Sequence, residues 1–520
     1  MTSRTLLLPT VFVAGMTTLA IEVSAARLLG TVFGTSNIVW ANIIGLMLIY
    51  LSAGYFIGGR WADRSPRFET LYRLIAWGSF TAGLVPVVAR PVLQQAALAV
   101  EKLDAVVMAG SFLSVLVLFS VPVTLLGCVS PFAIRLAIEN PEQAGRISGR
   151  IYATSTLGSI LGTFLPVLWL IPTIGTARTF LVFSFGLLSL GLIGLGREGG
   201  TRKLARYAWM PIALGLLALL TLRGPLKPSE GALYESESAY NYIQVREVDG
   251  LRVLYLNEGL AEHSIYSARD GGAPYGYGTW EFFLVAPFFN SAPTLPEDLG
   301  RVGVIGLAAG TISKQFTEIF GEVPIDGWEI DPEIIAVGRD YFDMTEPNLT
   351  PIIADGRWGL ARSEQRYSVI GVDAYRTPYI PWQLTTVEFF KEASAHLDEQ
   401  GVVAVNVGRT QTDRRLIEAL AGTMQVVFPS VHLVDVPGSF NSMLYGTRQP
   451  TQAENLVRNL LALQGQGAPE PLLAVIERAI QNIRTTPRSQ VVFTDDHAPA
   501  EQLVNSIVLQ FLLEGAQGLP

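Results

Sequence analysis

GLAAGTISKQFTEIFGEVPIDGWEIDPEII, residues 306–335, contains a glycine turn, an amphipathic helical run and a strand that stops at Glu329. Preceded by the apolar run 302–306, it reads strand, turn, helix (311–320), strand (325–330), the repeating unit of a mostly parallel sheet. Gly306 and Gly310 bracket the strand-to-helix turn, where missing side chains let the backbone come close to a ligand at the helix N-terminus. Glu329 follows Gly306 by 23 residues. An acidic residue there accepts hydrogen bonds from both ribose hydroxyls of a nucleoside. The GxGxxG of dinucleotide enzymes lacks its second glycine here. S-adenosyl ligands, which carry no pyrophosphate, do not require it.

The pattern continues in both directions. Strands are predicted at 351–354, 368–372, 402–406, 432–436 and 443–446, with helices at 332–341, 386–397 and 414–428 between them. Asp355 and Gly356 end the third strand, where a carboxylate suits an adenine amino group, and Asp373 ends the fourth. Glycine turn, Glu329, Asp355 and Asp373 thus fall at the carboxyl ends of adjacent strands, where doubly wound sheets bind ligands. A strand-terminal Asp is often only a helix cap; it is the order and spacing of all four that point to a nucleoside. Upstream, YNYIQVREVDGLRVLYLNE from Tyr240 is two strand-like runs around Asp249-Gly250, a hairpin signal. Downstream the tail is helical at 456–463, 472–483 and 500–514.

The first 225 residues obey a different rule. Of the 520 residues, 49% are apolar and 16% charged, and the apolar surplus falls almost wholly before Arg223. A spanning helix needs about 20 mostly apolar residues. About seven candidates are present: 6–29, 38–57, 71–89, 106–126, 151–171, 180–195 and 207–222, the last two short. No cleavable secretory signal precedes them. Basic residues cluster in alternate loops, at Arg60, Arg64 and Arg67, at Arg135, Arg146 and Arg150, and at Arg197, Arg202, Lys203 and Arg206; these loops are expected in the cytoplasm. If the seventh segment also spans, everything after Arg223 lies outside it, although supply of a nucleotide substrate favours the cytoplasmic side. Glu22 and Arg27 read as an interfacial pair or as a polar site in the bundle. GGRWADRSPR, from Gly58, is similar to a cytoplasmic loop signature of major facilitator transporters, in which Asp63 would pair with arginines. Gly158 and Gly162, four apart, suit close helix contact. The single Cys128 excludes an internal disulfide and a cysteine metal cluster, and no metal site is expected. Net charge of −8 and the absence of a basic stripe argue against a nucleic-acid partner.

Several blocks resemble the spermidine synthase family of polyamine aminopropyltransferases, in the branch fused to a membrane domain. They are VGVIGLAAGT from Val302, WEIDPEII from Trp328, IIADGRWGL from Ile352, YSVIGVDAYRTPYIPWQLTTVEFF from Tyr367 and FTDDHAPAE from Phe493. The membrane half adds PVTLLGCVSPFAIRL from Pro122 and GRIYATSTLGSILG from Gly149. The resemblance implies a polytopic helical membrane domain (1–225), a β-hairpin and lid region (229–290) and a Rossmann-like catalytic domain of the class I methyltransferase type (291–520). It implies transfer of an aminopropyl group from decarboxylated S-adenosylmethionine to an amine, releasing methylthioadenosine, with the donor a co-substrate and no tightly bound cofactor. Asp373 matches the family's base, Glu329 its ribose ligand, Asp355 its adenine ligand, and Gln244 a glutamine that helps hold the nucleoside. Two places depart from it: Ala309 stands where the glycine loop usually carries an aspartate, and Arg376 where a second aspartate helps hold the amine. Glu258, Glu262, His263 and Glu281 are expected to substitute if the hairpin covers the site, with Tyr277 and Trp280 packing on an aliphatic chain. Surface charge and lid packing are the plainer explanation of those six. The expected partners are a small-molecule amine, the bilayer of a cell membrane and a second copy in a homodimer. Two alternatives stand beside this reading: an S-adenosylmethionine enzyme with another acceptor or a cleavage activity, and a transporter or sensor of nucleosides or polyamines.

Overall fold

The computed structural model describes residues 3–33, 37–100, 106–221, 231–257, 261–276, 278–375 and 380–513. The chain divides into two compact units, one of residues 1–229 with 235–242, the other of 230–234 with 243–520.

The first unit is a membrane domain of α1 (Leu7–Phe33), α2 (Asn37–Arg64), α3 (Phe68–Val100), α4 (Val106–Gly127), α5 (Val129–Ala137), α6 (Ala144–Leu165), α7 (Ile171–Ile174), α8 (Thr176–Tyr207) and α9 (Trp209–Thr221). Six stretches among the described residues are long and apolar enough to cross a bilayer, against about seven in the sequence. The difference is one of joining: the sixth and seventh predicted segments share the apolar stretch Thr176–Leu220, within which Gly200, at φ 67°, breaks the helical geometry. Small residues set the closest contacts, as the spacing of Gly158 and Gly162 predicts. A Cβ on Gly158 would lie 2.0 Å from the Phe12 carbonyl oxygen, and one on Gly162 2.0 Å from that of Met16. Backbones this close gain dispersion where lipid supplies no hydrophobic drive. Asp63 pairs with Arg135 at 3.2 Å, the partnership anticipated for the Gly58 loop.

A four-stranded sheet follows, β1 (Ala232–Glu237), β2 (Tyr242–Val248), β3 (Leu251–Leu256) and β4 (Glu262–Ser267), in that order, of which residues 235–242 group with the first unit and the rest with the second. β2 and β3 pair antiparallel around Asp249 (φ 55°) and Gly250 (φ 84°), both in the left-handed region that a two-residue hairpin turn needs. The main sheet follows: β5 (Val302–Ile305), α10 (Thr311–Phe320), β6 (Ile325–Glu329), α11 (Pro332–Tyr341), β7 (Leu349–Ile353), α12 (Gly356–Ala361), β8 (Tyr367–Val372), α13 (Val387–His396), β9 (Leu397–Gly408), α14 (Arg415–Gln425), β10 (Ser430–Asp435), β11 (Asn441–Thr447), α15 (Asn455–Gln466), α16 (Glu470–Gln481), β12 (Ile483–Arg484) and α17 (Ala500–Leu513). The strand order is β12-β10-β11-β9-β8-β5-β6-β7. Strands β7, β6, β5, β8 and β9 run parallel, and the rest antiparallel. This is the Rossmann-like α/β domain expected. Apolar side chains fill both faces, Phe389, Leu420 and Val504 on one, Phe283, Phe316 and Val475 on the other. Near-continuous burial explains why these strands read as unbroken apolar runs.

Candidate active site

β5 has β6 on one side and β8 on the other, so the chain order reverses there. That reversal opens a crevice beyond the carboxyl ends of the strands. Gly306 and Gly310 hold φ of 88° and 91°. A Cβ on Gly306 would sit 2.7 Å from the backbone of Ala374, so only glycine lets the loop after β5 lie against the turn after β8. The loop is fixed from two directions. The Ala308 N–H donates to Glu329 Oε2 at 3.0 Å, and the Ala309 N–H to Ser264 Oγ of β4 at 2.9 Å. Thr311, first residue of α10, exchanges hydrogen bonds with the Ile265 backbone.

Glu329 also accepts the Asp331 N–H at 3.0 Å. Burial pushes its carboxyl up to about 7, against the lowering effect of these backbone donors. Asp355 caps α12, accepting the Trp358 N–H at 3.0 Å. A Cβ on Gly356 would meet Ile305 Cγ2 at 2.3 Å. Asp373 follows β8, its N–H bonded to the Ile305 carbonyl. Burial pushes its carboxyl up to about 7, opposed by one side-chain donor, Asn406 Nδ2 at 2.8 Å from Oδ1. Asn406 is in turn fixed by Asn441, whose Nδ2 donates to Asn406 Oδ1 at 2.7 Å. The amide therefore presents its nitrogen to Asp373. Tyr375 closes this corner, donating to the Asn406 carbonyl and accepting the Gly408 N–H, both at 2.8 Å.

The structure brings Gly306, Gly310, Glu329, Asp355, Gly356 and Asp373 to adjacent strand ends. Gln244, on β2, accepts Arg246 Nε at 2.7 Å; Arg246 lies over the Tyr255 ring, beside Glu262. His263, on β4 next to Ser264, is pushed down to about 4 by burial. Trp280 is buried in the core, and buried Glu281 holds Arg478 bidentately at 2.7 and 2.9 Å. Trp280 thus packs in the core, and Glu281 is tied to α16 through Arg478. Glu258, Tyr277 and Arg376 lie outside the described residues. Asp495 of the tail block binds Arg357 with both oxygens and accepts the Thr386 hydroxyl. Since Arg357 also grips Glu392, the tail braces the helix that Asp355 caps. Ser264, Asn406 and Asn441 escaped the sequence reading. Asn406 carried the same signal as Glu329, a polar residue at the end of an apolar strand.

No family model matches the chain. In sequence it is similar to a probable polyamine aminopropyl transferase of Bifidobacterium longum (strain NCC 2705), 29% identical over 298 residues, 54% of this chain and 64% of that protein. It is also similar to the polyamine aminopropyltransferase of Vibrio vulnificus (strain CMCP6), 27% identical over 236 residues, 44% of this chain and 75% of the relative. The chain thus spans less than two thirds of the first relative's length. A solved structure of a probable spermidine synthase from Corynebacterium glutamicum ATCC 13032 is 19% identical, covers 51% of this chain and 99% of its own, and superposes with a TM-score of 0.38. The sequence likeness is to polyamine aminopropyltransferases, as the quoted blocks predict.

Proposed function

We propose that this chain is a membrane-bound, aminopropyltransferase-like enzyme of the spermidine synthase type, moving an aminopropyl group from decarboxylated S-adenosylmethionine to a small-molecule amine. The observation that carries the reading is Asp373, half-buried at the switch point after β8, with Glu329 and Asp355 at the ends of β6 and β7 on the far side of β5. In this reading Glu329 binds the ribose hydroxyls, Asp355 the adenine amino group, and the glycine loop lies against the nucleoside. The sulfonium supplies an activated leaving group. Asp373 orients the amine and takes its proton as the nitrogen bonds to the methylene carbon and the carbon–sulfur bond breaks toward sulfur. Alignment of nucleophile and methylene supplies most of the acceleration. The donor acts as a co-substrate, and the bilayer and a second copy of the chain are the proposed partners.

A carboxyl that titrates near 7 suits a base at neutral pH. Protonated Asp373 cannot accept a proton, so turnover is expected to rise as pH rises through about 7. Asp373→Asn removes the acceptor and is expected to lower kcat by ~10²-fold or more while nucleoside binding persists, checked by steady-state kinetics beside calorimetry with methylthioadenosine. Loss of binding together with rate would contradict the assigned role. Ala309 favours examining a second reading, another acceptor or intact S-adenosylmethionine, because the loop lacks a carboxylate to pair with a cationic aminopropyl group.

A further inference from the structure

Ion pairs and hydrogen bonds distinguish the two ends of the helical bundle in the first unit. At one end, Arg4 pairs with Glu139, Asp63 with Arg135, and Glu69, at the start of α3, with Lys203 at 2.5 Å. These pairs gather the three arginine-rich loops. The opposite end is marked by two contacts. Arg27, on the last turns of α1, donates to the carbonyl oxygens of Ser238 and Tyr240. The first N–H of α8, on Thr176, donates to the Glu237 carboxylate at 2.7 Å, an anion at a helix N-terminus. Residues 235–242 are therefore held at the end of the bundle away from the arginine loops.

The course of α8 and α9 agrees. Along α3, a Cβ on Gly83 would meet Ser184, and Cβ atoms on Gly191 and Gly194 would meet Ile75 and Tyr72, so α8 runs antiparallel to α3. α9 turns back: Trp209 packs on Trp77 and Phe80, and Leu214 lies against Gly83. Its 13 residues rise by about 20 Å alongside α3, away from Arg206. The seventh segment thus runs back along α3 in the direction of α1, α3 and α6.

We infer that the chain beyond α9, with the nucleoside site on it, works on the side of the bilayer opposite the arginine-rich loops, the non-cytoplasmic side. The consequence for substrates rests on the function proposed above. The acceptor amine is drawn from, and the lengthened amine released into, the non-cytoplasmic compartment. A permanently charged sulfonium nucleoside does not cross hydrocarbon unaided, so a transport step must deliver the donor to that face. This places the site opposite to where donor supply alone would put it.

The inference is tested without reference to activity. Cys128 is buried and is the only cysteine, so Cys128→Ala gives a full-length background for single reporters at two exposed positions, Glu142→Cys in an arginine-rich loop and Glu399→Cys in the second unit. A membrane-impermeant maleimide is added to intact spheroplasts and, separately, to lysed ones. Labelling of Glu399→Cys in intact spheroplasts, with Glu142→Cys labelled only after lysis, is the expected result. The reverse pattern overturns the inference. Protease added to spheroplasts carrying the unaltered chain gives a second reading free of substitutions: cleavage within 243–520 before lysis supports it, and protection until lysis overturns it. Purified enzyme in detergent has no sides, so product analysis there tests the chemistry separately.

Discussion

The carboxyl of Asp373, the proposed base, is set by a balance between burial, which drives it up, and one hydrogen bond from Asn406, which holds it down. Replacing Asn406 by Leu removes the donor at little change in volume and leaves burial unopposed. A hydrogen bond to a charged group contributes about 1.5–3 kcal/mol, so the acidic limb of the kcat/KM profile is expected to move about 1–2 pH units to the alkaline side. Asn441→Ala frees the Asn406 amide to turn and is expected to give a smaller displacement in the same direction. A profile that falls in height without moving would show that Asn406 acts on something other than the base. Glu329→Gln keeps the shape but removes the charge from the proposed ribose ligand. It is expected to weaken methylthioadenosine binding by about 10–100-fold, read by calorimetry. Of these residues, Glu329, Asp355 and Asp373 were legible in the sequence because each follows an apolar run at a set interval from the glycine turn. Asn441 was not: it begins its strand, 35 residues from its partner, and nothing local marks the pairing.

At the level of elements, the site depends on pieces far apart in the chain. β4 ties the glycine loop down through Ser264 and Thr311, while Arg357 joins α12 to α13 and the tail. The hairpin was legible because Asp-Gly fixes its turn, and the strands because burial on both faces leaves them apolar. The Arg357–Asp495 pair, 138 residues apart, was not, since an Asp beside a helix start also reads as a cap. In the membrane unit, spacing announced the contact of α1 with α6, and its cost can be measured. Gly162→Leu places side-chain atoms where the Met16 carbonyl oxygen lies and must push the helices apart. Overpacking of this kind costs about 1–3 kcal/mol, so melting in detergent is expected to fall clearly. The same substitution at Gly145, where a Cβ meets nothing within 4 Å, is expected to leave it unchanged.

For the whole molecule, composition drew the main division correctly: an apolar half rich in helices and a half in which strands alternate with helices. It could not say whether the short seventh segment crosses, because length alone does not distinguish a crossing from an interfacial helix. The packing of Trp209 and Leu214 along α3 gives the direction in which that segment runs. The central claim is that this chain performs a group transfer from an S-adenosyl donor, and mass spectrometry of products tests it most directly. Purified full-length protein is given decarboxylated or intact S-adenosylmethionine, with and without a panel of amines, beside the Asp373→Asn variant. The account predicts methylthioadenosine together with an amine lengthened by an aminopropyl group, both lost in the variant. No turnover of either donor, by protein that still binds methylthioadenosine, would contradict it.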